Sequence, residues 1–200
     1  SGFDNNLTDY KDTTPHAFYH NAFLVVSNGD RAKYGTLTSG WEHFGEWKRN
    51  DEKDKGDLEA RVLLRGMLAQ DRLLDLLENF VLFDNSRAGA TRKIVARNHQ
   101  VLGVNLAVGS VQQQEALKKD FPPEKRRLYR TVDVDKRQSV DQDMVFLMDS
   151  VEPESKKTLS LVEHAHPNLG KLGVFWHTQG SGKSYSMAFF AEKVRRKISA

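Results

Sequence analysis

The stretch LGVFWHTQGSGKSYSMAFFAEKVRRKI, residues 172–198, decides the fold. Leu172 to Trp176 is a short apolar run closed by a glycine-rich turn, a pattern that predicts a buried strand. The turn runs from His177 to Gly182 and leads directly into Lys183 and Ser184. Beyond it, Met187, Phe190, Ala191 and Val194 recur at three- and four-residue spacing, which predicts a helix. Strand, glycine loop, lysine-serine and helix, in that order, is the context of a phosphate-binding P-loop.

Each residue type has a physical reason to be there. Gly180 and Gly182 can take backbone conformations closed to residues with a Cβ, which lets successive N–H groups turn inward around an anion. The helix that follows adds the positive end of its dipole. Lys183 would reach the β- and γ-phosphates as a point charge, and the Ser184 hydroxyl would hold Mg2+. Backbone amides of Gln179, Gly180, Ser181, Gly182 and Lys183 would form the nucleotide cradle, with Thr178 a further candidate nucleotide-binding residue. In the strict GxxxxGK[ST] pattern the first glycine falls on His177, so the match lies in the TxGSGKS core. The bland alternative is a glycine-rich surface turn before a basic helix.

WHTQGSGKS, preceded by LGVF and followed by YSMAFFAEKVRRK, resembles the first motor motif of the restriction and translocation subunit of type I restriction enzymes. Those subunits pair a nuclease domain with a two-lobed, helicase-like motor. The stretch LTDYKDTTPHAFYHNAFLVVSNGDRAKYGTLTSGWEHFGEWK resembles the closing part of their nuclease domain. The family carries a QxxxY element there, matched by Asn6 and Tyr10, with asparagine in place of glutamine. Asn6 and Tyr10 thus read as supports of a DNA-cutting site or as a solvent-facing helix end. Arg97-Asn98-His99-Gln100 resembles the adenine-reading glutamine element upstream of the P-loop. A glutamine amide donates and accepts at once, which suits the N6/N7 edge of adenine. His99 reads as structural, because no second metal ligand accompanies it at helical spacing.

Composition sets wide bounds. The chain has 200 residues, a formal charge of +3, 28% charged residues and no cysteine, so it holds neither a disulfide framework nor a cysteine zinc site. No signal-peptide core and no apolar run of about 20 residues is present, and a soluble, cytoplasmic protein without membrane contact is the expectation. Ser1-Gly2 has the look of a cloning remnant, and an ATPase needs an acidic strand downstream of its P-loop; the chain reads as an excerpt of a longer protein.

Elsewhere the pattern gives a helix before Pro15, a strand over Ala22–Val26 and a turn at Ser27-Asn28-Gly29-Asp30. An antiparallel partner follows over Lys33–Thr38. Glu46-Trp47-Lys48 spells a nuclease ExK triplet but lacks a strand to present it, and Glu152–Lys156 is spoiled by Pro153. The charged stretch 48–57 reads as a loop. One helix begins after an Asp57 cap and a second after an Asp71 cap, each with a leucine-rich face. Asn85–Ala90 reads as a boundary turn, and Thr91 onward as a long helix interrupted by Gly103 and Gly109 and broken at Phe121-Pro122-Pro123. Glu124–Arg130 reads as a solvated basic face rather than a DNA-backbone patch. Met144–Asp149 reads as a structural strand or buried helix segment. His164 and His166 lack a third metal ligand.

The resemblance implies a mixed α/β chain: the tail of a restriction-nuclease-like α/β domain in 1–48, a helical connector in 49–90, and the start of a RecA-like P-loop motor lobe in 91–200. It implies ATP and Mg2+ as cofactors, and double-stranded DNA with the specificity and methyltransferase subunits as partners. The excerpt itself is expected to bind ATP at most. The alternatives are another helicase or remodeller segment, a non-catalytic nucleotide- or DNA-binding module, and a small-molecule P-loop kinase.

Overall fold

The computed structural model describes residues 2–51, 53–54, 57–86, 91–133 and 158–198. The expectations for Met144–Asp149 and Glu152–Lys156, and part of the turn Asn85–Ala90, lie outside the described residues. The chain forms two compact units, one of Ser1–Val111 with Gly173–Ala200 and one of Gln112–Leu172. Segments 1–48 and 49–90 thus share a unit with 91–111 and 173–200.

The first unit begins with a π-helical stretch, Gly2–Leu7, that continues as α1, Thr8–Thr13. Strands β1 (Leu24–Ser27) and β2 (Ala32–Gly35) form an antiparallel hairpin, with Leu24 opposite Gly35 and Ser27 opposite Ala32. Its turn forms as the sequence predicts. Gly29 sits at φ +101°, and Asn28 Oδ1 accepts the amides of Asp30 and Arg31 at 3.2 and 2.8 Å. β2 sends Tyr34 into the core, its ring 5.9 Å from that of Trp47. The buried phenol donates to the Ala96 carbonyl at 3.0 Å, and burial pushes its pKa well up.

Two short helices follow, α2 (Glu59–Arg65) and α3 (Gln70–Asn79). Both expected caps are displaced. The α2 N-cap is Leu58, and Asp57 instead accepts the Leu58 amide at 2.8 Å and holds Arg61. The α3 N-cap is Ala69, so Asp71 lies inside the first turn, where its charge still favours the helix dipole. Gly66 ends α2 by close approach: a Cβ there would fall 1.6 Å from Asn50 Oδ1.

The expected helix from Thr91 is corrected. Arg92–Val95 is a strand, β4, paired antiparallel with β3 (Val81–Asp84), and Arg92 meets Asp84 at 3.1 Å across the ladder. Ile94 and Val95 are β-branched, and a partner strand outweighs helical periodicity here. The helix, α4, runs Asn98–Asp120 and ends before Phe121-Pro122-Pro123 as predicted. Neither Gly103 nor Gly109 interrupts it. Gly103 leaves room for Phe175, whose Cε2 would lie 2.5 Å from a Cβ at that position.

Helix α5, Lys183–Ile198, closes the unit. Phe189 enters the core beside Phe80, with Leu63, Met67, Leu76, Val101 and Val104 around them. Lys193, only 9% exposed, is bound by Asp75 of α3 and by Asn105 Oδ1 of α4 at 2.6 Å, with its ammonium 4.9 Å from the Phe80 ring centre. A cation buried this far is held only when paired and hydrogen-bonded.

The predicted strand Leu172–Trp176 does not form a ladder. Val174 and Trp176 are 90% and 84% exposed, and no described strand lies against them. A strand is defined by its neighbour, which the apolar run alone cannot supply. In the second unit, β5 (Arg127–Asp133) and β6 (Thr158–His164) make an antiparallel ribbon. Gln114 ties the loop after it, donating to Asn168 and Lys171 carbonyls at 2.7 and 3.0 Å and accepting the Gly170 amide at 2.8 Å. The described sheets are thus three antiparallel pairs among helices, a mixed α/β chain. Among the described residues no helix is long and apolar enough to cross a membrane.

Candidate nucleotide site

The loop takes the conformation its glycines permit. Gly180 and Gly182 sit at φ +78° and +81°, and Lys183 is the first residue of α5. Ser181 folds back on Thr178, its amide and hydroxyl donating to the Thr178 carbonyl at 3.3 and 2.7 Å. Thr178, Gln179, Lys183 and Ser184 are exposed, and Lys183 has no carboxylate partner among the described residues. Its ammonium lies 6.0 Å from the Trp176 ring centre. A left-handed glycine cradle under an uncommitted lysine fits a polyphosphate anion and its divalent cation.

The first turn of α4 grips this loop. Gln100 is buried; its Nε2 donates to the Gly182 carbonyl at 2.9 Å, while its Oε1 accepts the Arg97 amide at 2.8 Å. The second bond is half of a capping box, the third helical residue reaching back to the N-cap amide. Gln100 and the P-loop, 82 residues apart, therefore meet directly. Both functions of the amide are engaged within the protein.

His99 stands beside it, with Nε2 3.2 Å from the Ser181 carbonyl oxygen. Its ring meets the edge of His177 at 4.8 Å, and Phe175 covers His177 at 4.4 Å. Among the described residues His177 Nδ1 is buried without a hydrogen-bond partner. Burial first, then the neighbouring His99 and Lys183, hold the His177 pKa below its usual value, so the ring favours its neutral form. The side chain that displaces the first glycine of the strict motif is thus part of the packing that seats the loop.

A cleft of about 210 Å³ opens from Gly180–Gly182 past Gln100 and Arg97, along β4, to Ser39 and His43. Among the described residues no carboxylate lines it. At its edge Tyr185, two residues beyond the P-loop lysine, donates to Asp84 Oδ2 at 2.8 Å, and Arg92 pairs with the same carboxylate. Hydrogen bonds from Ser86 first, then Tyr185 and Arg92, hold Asp84 well below the usual carboxylate range. Sequence reasoning missed Asp84 and Tyr185, because a contact across 101 residues leaves no local signature.

The other candidates are not among the residues that line this cleft. Asn6 and Tyr10 lie one helical turn apart on the N-terminal helix, and both are exposed. Glu46-Trp47-Lys48 is no nuclease centre: Trp47 is a core residue at 1% exposure, and Glu46 faces Lys33 at 3.8 Å. His166 Nδ1 accepts the Asn168 amide at 3.2 Å. No group of three or more potential metal ligands occurs among the described residues.

A glycine turn at a helix start, held by an upstream glutamine, lies within residues 99–200, which match the SWI2/SNF2 ATPase family. The chain belongs to that family. Among curated relatives it is similar to the type I restriction enzyme HindI endonuclease subunit of Haemophilus influenzae, 31% identical over 95% of this chain and 14% of that protein. It is also similar to the type I restriction enzyme MjaIXP endonuclease subunit of Methanocaldococcus jannaschii, 23% identical over 98% of this chain and 16% of that protein. The chain thus spans about a seventh of the length of these relatives. The resemblance carried by WHTQGSGKS is to the same kind of subunit.

Proposed function

We propose that this chain is part of a type I restriction enzyme's restriction subunit, a motor that hydrolyses ATP to translocate double-stranded DNA and then cuts it. Residues 1–48 serve as the tail of the nuclease domain, 49–90 as a connector and 91–200 as the start of a RecA-like motor lobe. The family match from residue 99 supports the last assignment. The partners are the specificity and methyltransferase subunits. The working compartment is the cytoplasm.

In this reading Lys183 contacts the β- and γ-phosphates, Ser184 holds Mg2+, and the amides from Gln179 to Lys183 cradle the phosphates beside Thr178. Bound Mg2+ would neutralise phosphate charge. Gln100 reads adenine by exchanging its Arg97 and Gly182 bonds for the base edge. Asn6 and Tyr10 support DNA cleavage from their exposed helix. The expectation is that the chain binds Mg·ATP without turning it over, since among the described residues none of the cleft's lining side chains is a carboxylate that could position an attacking water.

One observation carries the reading: the Gln100 side chain sits on the P-loop carbonyl of Gly182 at 2.9 Å. Calorimetric titration of Mg·ATP and Mg·GTP into the chain and its Lys183→Ala variant tests it. ATP should bind better than GTP, and the variant should lose at least about tenfold in affinity, the effect of removing one charge-assisted contact. Equal binding by the variant would sink the phosphate assignment. Turnover retained by the chain and lost in Lys183→Ala would overturn the claim that it only binds.

A further inference from the structure

The second unit carries a surface that the nucleotide reading does not use. By sequence alone Glu124–Arg130 reads as a solvated basic face; the strand register changes that. Arg127 pairs with His164, Leu128 with Glu163, and Tyr129 with Val162. Successive strand side chains project to opposite faces, so Arg127, Tyr129, Val162 and His164 share one face and Leu128 and Glu163 the other. The alternation sorts charge: the acid goes to one side, the guanidinium, phenol and imidazole to the other. Tyr129 and Val162 are 72% and 54% exposed, so this cross-strand pair lies open.

The chain next to the ribbon's end is tied to it. The Ala165 amide donates to the Arg126 carbonyl at 3.0 Å, Arg126 Nε donates to the Phe121 carbonyl at 2.9 Å, and the Phe121 ring lies 5.8 Å from His166. These contacts hold the 121–126 turn at the end where Arg127 and His164 pair. Lys119, Lys125 and Arg127 are all exposed, and among the described residues none of them forms an ion pair. Lys118, by contrast, is bound to Glu115 at 2.6 Å. Arg127 shares the face of the exposed Tyr129, Lys125 stands in the adjoining turn and Lys119 in the last turn of α4. Uncommitted cations and an open aromatic ring suit a polyanion, and a two-stranded ribbon has the width of the DNA major groove.

We propose that the β5–β6 ribbon is a contact surface for duplex DNA, in which Lys119, Lys125 and Arg127 meet backbone phosphates and Tyr129 lies against the strand between them. The proposal rests on the DNA-handling reading above. Phosphate contacts position a duplex without reading its sequence, so the binding is non-specific.

The test is fluorescence anisotropy of a labelled duplex of about 30 base pairs, titrated with the chain between about 50 and 200 mM salt. The Lys119→Ala/Lys125→Ala/Arg127→Ala variant should bind about tenfold or more weakly at low salt, and its log K against log salt slope should flatten by about one per cation removed. Tyr129→Ala should weaken binding with the slope unchanged. All four side chains are exposed, so the thermal midpoints should match and rule out unfolding. Failure of the wild-type chain to bind duplex, or a triple variant with unaltered affinity and slope, overturns the proposal; capture of an acidic protein in place of duplex does the same. Mg·ATP titration of the same samples separates the two claims. ATP binding lost in Lys183→Ala beside unchanged duplex binding in the triple variant sinks the ribbon alone, whereas absence of ATP binding sinks the nucleotide site alone.

Discussion

The two halves of one motif behave differently. The loop and the helix after it are seated by named contacts: Gln100 on Gly182, His99 beside Ser181, Phe175 over His177, and Lys193 clasped by Asp75 and Asn105. The lead-in from Leu172 to Trp176 has the apolar composition of a core strand yet stands largely open, with Val174 the most exposed. A glycine turn and a helix are set by nearby residues, whereas a strand waits for a partner elsewhere in the chain. Stability and nucleotide binding should therefore depend on the seated half and be indifferent to the open one.

The largest effect should come from the buried clasp. Asp75→Ala leaves the Lys193 ammonium without its carboxylate, and removing one partner of a buried pair destabilises by about 3–5 kcal/mol. The double variant Asp75→Leu/Lys193→Met removes both charges and should recover most of that loss. Urea unfolding of the three proteins reads the difference. Equal stability of Asp75→Ala and the parent would mean that α5 is not held through Lys193.

Gln100→Ala comes next. It removes the cap bond to Arg97 and the bond to Gly182, a loss of about 1–2 kcal/mol in stability. If Gln100 also reads the base, the preference for ATP over GTP should shrink in the same variant. Lost stability with unchanged preference would make it a structural clasp only.

This pairing shows how far the sequence could be read. The turn at Gly180–Gly182 and the helix from Lys183 were legible because glycine freedom and helical periodicity are local properties. Gln100 was legible as a residue near the site, but its capping role was hidden behind a helix read seven residues too early, from Thr91. Arg92–Val95 looks helical until Val81–Asp84 is placed beside it. Asp57 and Asp71 are good caps by type, yet the chain enters both helices one or two residues away from them. Tyr185 and Asp84 meet only through the tertiary fold.

A smaller effect should follow pH. The folded-state pKa of His177 is depressed by burial and by His99 and Lys183, so the unfolded chain binds the proton more readily. The stabilisation is complete above the ordinary value of 6.5 and falls away as pH drops through it. Unfolding of the parent and of His177→Asn at pH 8 and about pH 5.5 should show a larger acid loss in the parent. Equal losses would mean that His177 protonates as freely in the folded chain as in the unfolded one.

The smallest effect should be at the open half, and it is the sharpest test of the comparison. Val174→Asp places a charge in an apolar run whose sequence says core. A packed strand would be disrupted by an unpaired buried charge, at a cost of several kcal/mol. An exposed position should change stability by no more than about 0.5 kcal/mol. Trp176→Ser should behave similarly, though its ring lies 6.0 Å from the Lys183 ammonium and screens little of it. Phe175→Ala is the internal control, because Phe175 packs on His177 and against Gly103, and truncation there should destabilise by more than either neighbour. A steep loss in Val174→Asp would show that the lead-in is covered in solution, and the contrast between the two halves would then disappear.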